Sequence, residues 1–301
     1  MNWKKLGLVF KPEGQYEWMQ NYASMPSALK LNGDLYRFYF STRDSNQKAQ
    51  VGFVEIDVRS PQDILRISAE PVLEIGYPGY FDDSGVYAGN ILVEENGQLR
   101  MYYSGRNNGQ PPLYYMSIGL ANCSIDAPKF TKQYAYPIIA RNAVNPWMVS
   151  TPCVVKKDNK YHMFYISGKG WDSALVKSFY DIKYAWSIDG LAWNFELDPI
   201  LELRQGENNI AAPSVVEWKN GYLMFFSYVE PPAHYQIGVA FSSDLNCWQR
   251  LENPKGLELG PENWDSESMA YPHAFIHNSE LYLLYSGNKN GLGGMGLAKL
   301  C

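Results

Sequence analysis

This sequence predicts an all-β fold, a five-bladed β-propeller of four-stranded antiparallel blades whose ring is closed by the N-terminal strand. Three observations predict it: a five-fold repeat, hairpin signals inside the repeats, and chain ends that complete one another. With Pro26, Asn90, Pro152, Pro213 and Pro272 as anchors, the repeats start 64, 62, 61 and 59 residues apart. Twelve and thirteen residues beyond each anchor stand Phe38-Tyr39, Tyr102-Tyr103, Phe164-Tyr165, Phe225-Phe226 and Leu284-Tyr285. Self-similarity at a fixed period marks a radial or solenoidal array.

Within a repeat the anchor opens a first strand, a tight turn follows, and the aromatic pair lies on the second. The turns carry Asn32-Gly33, Asn96-Gly97, Asp158-Asn159 and Asn220-Gly221; Asn-Gly pairs supply the positive φ angles that hairpins need. Three repeats share a mark after the third strand, in Ser124 to Phe130, Ser187 to Trp193 and Ser242 to Trp248. Its aspartates, Asp126, Asp189 and Asp244, read as turn devices that accept backbone N–H bonds. Fourth strands are expected at Pro71-Val72-Leu73 and Pro199-Ile200-Leu201. The last repeat stops at a third strand, Gly296 to Lys299, and the opening Leu8-Val9-Phe10 resembles a fourth, so the N-terminus is expected to complete it and remove exposed edges. The repeats fill residues 1–301 as one domain.

Composition narrows the function. Aromatic residues make up 15% of the 301 residues, enough large rings to fill the gaps between packed sheets and to line a sugar site. A net charge of −5 offers no basic field for nucleic acid or a membrane surface. No apolar run reaches the ~20 residues that span a bilayer, and no signal-peptide core is present, so a cytoplasmic location without membrane insertion is expected. Cys123, Cys153, Cys247 and Cys301 lack metal-ligand spacing and suit free thiols. Cofactor motifs are absent, and neither a cofactor nor a metal is expected.

In a propeller, the loops between blades and the loops from second to third strands share one face, and chemistry is sought there. Glycoside cleavage needs two carboxyl groups in different environments. Asp83 and Glu267, from different repeats, are the candidate catalytic pair, with Asp82, Asp265 and Glu207 as further acids. Candidate substrate-binding residues on the same loops are Tyr87, Arg106, Trp147, Trp171, His234, Tyr271 and Asn288, together with Asn90 and His273 on first strands. His162 and His277 read as ordinary strand or turn residues.

Phe81 to Tyr87, the Ser187 to Trp193 turn, and Trp264 to His273 with Tyr285 to Asn288 carry a resemblance to a known superfamily. The sequence resembles, over its whole length, the five-bladed propellers of arabinanase, invertase and levansucrase-type glycosidases (glycoside hydrolase families 43, 32 and 68) and of family 130 phosphorylases. Within that group it is similar to uncharacterised bacterial members linked to surface-polysaccharide genes. The resemblance implies an Asp directly before the first-strand Pro in the first two blades and a Glu just before it in the third. Here the residues before the anchors are Met25, Gly89, Thr151, Ala212 and Tyr271, none of them acidic.

Two readings follow, each with an oligosaccharide or sugar derivative as partner. One is an enzyme acting on a glycosidic bond, as hydrolase, phosphorylase or transferase, through Asp83 and Glu267. The other is a non-catalytic carbohydrate-binding propeller in which Trp147, Trp171 and Trp264 stack on sugar faces while Asp83, Asn90, Glu267 and His273 bond hydroxyls. A third expectation makes Arg43, Arg106 and Lys169 a cationic rim for a sugar phosphate or sugar nucleotide. A protein-binding scaffold is the fourth.

Overall fold

The computed structural model describes residues 1–110, 112–172, 174, 177–251, 257–261 and 264–301. Strand β1 (Trp3–Phe10) precedes a first antiparallel meander of β2 (Asn21–Asn32), β3 (Leu35–Arg43), β4 (Ala49–Asp57) and β5 (Ile64–Ile67). In the second, β6 (Gly85–Tyr87) and β7 (Ile91–Val93) are halves of a broken first strand that both pair with β8 (Gln98–Asn108), followed by β9 (Tyr114–Ser124) and β10 (Ala127–Lys132). The third holds β11 (Val149–Lys157), β12 (Lys160–Trp171), β13 (Ser178–Ser187) and β14 (Asn194–Phe195), and the fourth β15 (Asn209–Trp218), β16 (Gly221–Val229), β17 (Gln236–Ser242) and β18 (Gln249–Arg250). The last runs β19 (Ala270–His277), β20 (Glu280–Ser286), a single helical turn α1 (Asn288–Gly291) and β21 (Met295–Leu300). Strand β1 pairs antiparallel with β21, Trp3 opposite Leu300 and Phe10 opposite Met295.

Alternating side chains on each second strand fill the gaps on both sides of their sheet, which is why aromatic pairs recur there. Phe164 packs toward the fourth meander and Tyr165 toward the second; Phe225 packs toward the fifth and Phe226 toward the third. Leu284 meets the first meander beside Phe38 and Phe275, so the last sheet packs on the first. A further apolar cluster caps one end of the assembly and draws on all five meanders.

Two expectations are corrected. In the first repeat the equivalent pair is Tyr39-Phe40: Tyr39 lies opposite Ser27, the residue after the anchor, as Phe225 lies opposite Ser214. An irregularity between Lys30 and Asn32 shifts that register by one residue, which sequence spacing could not reveal. The fourth strands also begin earlier than expected. They are β5 and β14, and Leu73 and Leu201 add only isolated bridges, to Val51 and Ile182. Pro71 and Pro199, without an N–H, cannot carry a continuous ladder.

The serine that follows the pair was not recognised from sequence, yet it joins successive meanders. Ser41, Ser104 and Ser227 accept hydrogen bonds from the backbone N–H groups of Ala88, Thr151 and Tyr271 at 2.9, 2.8 and 2.8 Å. In the third repeat Ile166 replaces the serine, and the Thr151 hydroxyl takes over, accepting from Ala212 N–H at 3.3 Å.

Candidate functional site

Register irregularities recur at the anchors, and they shape the centre. Met25, Thr151, Ala212 and Tyr271, each directly before an anchor proline, have φ of 50°, 47°, 48° and 53°. That left-handed geometry breaks the ladder at Ser24/Ser27, Ser150/Cys153, Ala211/Ser214 and Ala270/His273. The anchors of all five repeats meet around a cavity of about 40 Å³. It has room for a water or two but not for a sugar ring.

Above that narrow axis lies a cup of tyrosines. Tyr87 ends β6, Tyr114 starts β9, Tyr180 lies early in β13, Tyr235 just precedes β17, and Tyr271 occupies the irregularity in β19; all pack on the capping cluster. The Tyr180 and Tyr235 hydroxyls are hydrogen-bonded to each other. Tyr114 pairs with Ser178 Oγ at 2.9 Å, its ring stands edge-on to Trp171 at 5.0 Å, and the Tyr235 and Tyr271 rings are 6.3 Å apart. Burial pushes the phenols of Tyr180, Tyr235 and Tyr271 well above their usual range, so they remain protonated and can both donate and accept.

Of the residues expected in the site, Tyr87, Tyr271 and Trp171 meet here, and Arg106 joins them with its guanidinium 4.7 Å over the Tyr114 ring. His273 lines the axial cavity below. Trp147, His234 and Glu267 are exposed. Glu267 forms no side-chain hydrogen bond or ion pair among the described residues; its backbone N–H donates to Asn288 Oδ1 at 2.8 Å.

The other expected residues are occupied within the fold. Asp82 is fully buried, ion-paired with Lys132 at 2.6 Å and accepting from Tyr103 at 2.9 Å. Asp265 repeats this arrangement in the last meander, with Lys5 at 2.5 Å and Tyr285 at 2.9 Å. Glu207 takes a two-pronged bond from Arg250, at 2.6 and 2.7 Å. Asn90 spends both ends of its amide on the backbone of Val154, at 2.6 and 2.7 Å, and Asn288 Oδ1 also accepts from Ser268 N–H at 2.9 Å. Trp264 is stacked on Tyr285 at 5.4 Å and wedged against Gly296, so it offers no open face for a sugar. Lys169 faces Asp181 at 3.1 Å and leaves the expected cationic rim.

Asp83 is a loop clip. It accepts from Gly79 N–H at 2.9 Å, Ser84 Oγ at 2.7 Å and Asn107 Nδ2 at 2.9 Å. Partial burial acts to raise its pKa, but these bonds outweigh it and hold the carboxyl below its ordinary value, the reverse of what a general acid requires. Two of the three turn aspartates behave as expected: Asp189 and Asp244 accept backbone N–H bonds, which lower their pKa values, whereas the Asp126 carboxylate accepts none among the described residues and only its backbone N–H donates, to Ser124 Oγ at 3.4 Å. Among the described residues no three His, Cys, Asp or Glu side chains converge to hold a metal ion.

Tyr114, Tyr180 and Tyr235 went unnoticed in the sequence. A signal was present: each of the three middle repeats places a tyrosine within two residues of the start of its third strand.

Burial depresses the His273 imidazole from 6.5 to about 4. A lowered folded pKa means that the unfolded state takes up more protons between these values, so stability is full above pH 6.5 and lost toward pH 4. At ~1.4 kcal/mol per unit the loss reaches about 3 kcal/mol. Denaturant titrations between pH 7 and 4 are expected to show a shallower decline in His273→Gln than in the unaltered protein; equal slopes would remove His273 as the cause.

No family model matches the sequence. It is 35% identical over 302 residues to Uncharacterized protein Rv1502 of Mycobacterium tuberculosis, covering 100% of this protein and 99% of that one. Among solved structures it is similar to the RGII complex of BT0996, with a TM-score of 0.76 and 17% identity over 98% of this protein and 90% of that one. A thermostable family-43 glycoside hydrolase matches with a TM-score of 0.65 and 18% identity over 91% of this protein and 88% of that one. These likenesses show the fold of the β-propeller glycoside hydrolases. By its full-length identity to the mycobacterial protein, this protein belongs to the Rv1502 family, built on the glycosidase-like β-propeller fold.

Proposed function

We propose that the protein is a carbohydrate-binding member of the glycosidase-like propellers and holds its ligand over the tyrosine cup without cleaving it. In this reading the five meanders are five blades, and β1 closes the ring as the outer strand of the last. Support for a sugar ligand comes from ring faces and phenolic hydroxyls gathered at one mouth, and from the structural neighbour in an RGII complex. The observation that carries the choice of binding over cleavage is the state of the acids. Asp82, Asp265 and Glu207 are ion-paired, Asp83 is clipped into its loop, and no acid precedes an anchor.

One observation favours a second reading. The exposed Glu267 carboxylate, without a side-chain partner among the described residues, is an acid that could protonate a departing sugar oxygen, as transfer to phosphate or water requires. Binding to an oligosaccharide panel by ligand-detected NMR, with products followed by mass spectrometry, separates the two. Saturable binding without products, weakened about tenfold in Tyr235→Ala as expected for loss of ~1.4 kcal/mol of ring contact, supports the binder. Turnover that disappears in Glu267→Gln would replace it with the enzyme.

A further inference from the structure

Five arginine side chains elsewhere in this protein face carboxylates: Arg37 and Arg66 meet Glu55, Arg59 meets Asp57, Arg100 meets Glu94 and Arg250 meets Glu207. Arg43, Arg106 and Arg141 form no ion pair among the described residues. Each lies over a tyrosine instead: Arg43 at 4.3 Å over Tyr22, Arg106 at 4.7 Å over Tyr114 and Arg141 at 4.5 Å over Tyr115. Amides orient the first two, with Gln47 accepting from Arg43 at 3.4 Å and Asn108 from Arg106 at 2.9 Å. Both are half-buried. Partly desolvating a cation without a counter-ion costs free energy, and a bound anion would offset it.

The ladder aligns these two arginines. Arg43 is opposite Ala49, Ala49 opposite Gly85, and Gly85 opposite Arg106. Directly paired residues project to one face of a sheet, and three strand spacings of ~5 Å put the two Cα atoms ~15 Å apart, a gap that two long side chains can close. Ala49 and Gly85 between them contribute almost no side chain. Ala49 belongs to the apolar cluster beneath the tyrosine cup, so the pair faces that cup. The acids on the adjoining loops, Asp44 and Asp83, are already engaged: Asp44 accepts from Asn46 and Lys48 N–H at 2.8 and 2.9 Å, and Asp83 is clipped as described.

We propose that the ligand is an anionic sugar, its phosphoryl or carboxylate group held between Arg43 and Arg106 while its ring lies on the cup. This rests on the carbohydrate reading above. Guanidinium forks suit either oxyanion, and an acidic protein that leaves these cations unpaired on one face selects for negative ligands.

The test is calorimetric titration with glucose 1-phosphate, glucuronic acid, glucose and inorganic phosphate against the unaltered protein, Arg43→Gln, Arg106→Gln and Arg106→Lys. At least one anionic sugar is expected to bind tenfold or more tighter than glucose. Each Gln variant should weaken that binding at least tenfold and weaken glucose binding far less, with the Lys variant intermediate; thermal melting confirms that the variants are folded. Phosphate and glucuronate arms identify which oxyanion is preferred. Equal affinity for glucose and both anionic sugars, insensitive to the Arg variants, overturns the inference and leaves the carbohydrate reading standing. Phosphate binding as tight as the sugar phosphate, with no sugar bound otherwise, keeps the anion site and overturns the carbohydrate reading. No binding in any arm overturns both.

Discussion

Replacing Lys5 by methionine is expected to cost about 3 kcal/mol of folding stability, because it strands the Asp265 carboxylate in a wall only 1% exposed. Among the described residues the Tyr285 hydroxyl would then be the side chain left donating to it. Removing one partner of a buried pair is costlier than removing both, since the survivor keeps its desolvation penalty without the Coulombic return. Lys5→Met/Asp265→Asn should therefore recover much of the loss. Lys5 lies on β1 and Asp265 before β19, 260 residues away, so the pair also fastens the first strand to the last meander. Urea midpoints of the single and double variants measure the effect. A single variant as stable as the unaltered protein would show that the pair contributes nothing.

The second large effect is at Gly89. A Cβ built there lies 1.8 Å from the backbone oxygen of Tyr102 and 3.2 Å from that of Pro152, and neither is a flexible side-chain end. Gly89→Ala must push the broken first strand of the second meander off its neighbour, which also strains the Asn90 bonds to Val154. A loss on the order of 4 kcal/mol is expected, at the upper end for overpacking. Gly97→Ala is the control. It has a positive φ of 78° but open space around it, and is expected to cost only ~1 kcal/mol. If both variants melt at the same temperature, close backbone approach is not what selects glycine at position 89.

These two sites show what a sequence can carry. The repeat was legible because each second strand is buried on both faces, and that demand reappears as paired large apolar residues at nearly constant spacing. The complementary ends were legible for the same reason: an edge needs a partner, and Leu8-Val9-Phe10 had the pattern of one. Strands as short as β14, two residues long, leave too little periodicity to locate, and the nearby proline segments drew attention instead.

The site was harder to read. Asp82 and Asp265 have the chemistry of catalytic acids, and only their distant partners, Lys132 and Lys5, make them wall residues. A pairing across sheets leaves no local trace. The cup tyrosines were masked by abundance, since among 23 tyrosines most do the work of packing. Arg106 was recognisable as a mouth residue, whereas its alignment with Arg43 depends on the bridge between Ala49 and Gly85, a register that no single repeat encodes.

The left-handed residues before the anchors bear on how this scaffold could change its trade. At Met25, Thr151 and Ala212 the backbone already makes a turn that L-residues resist, by ~1–2 kcal/mol each, and that asparagine and aspartate tolerate better than most. An aspartate arising there would meet a backbone suited to it, at the rim of the axial cavity and below the tyrosine cup. The sheets around it would need no rearrangement. A carboxylate can therefore be gained or lost beside the axial cavity one codon at a time, at positions the backbone has prepared, while the architecture stays the same.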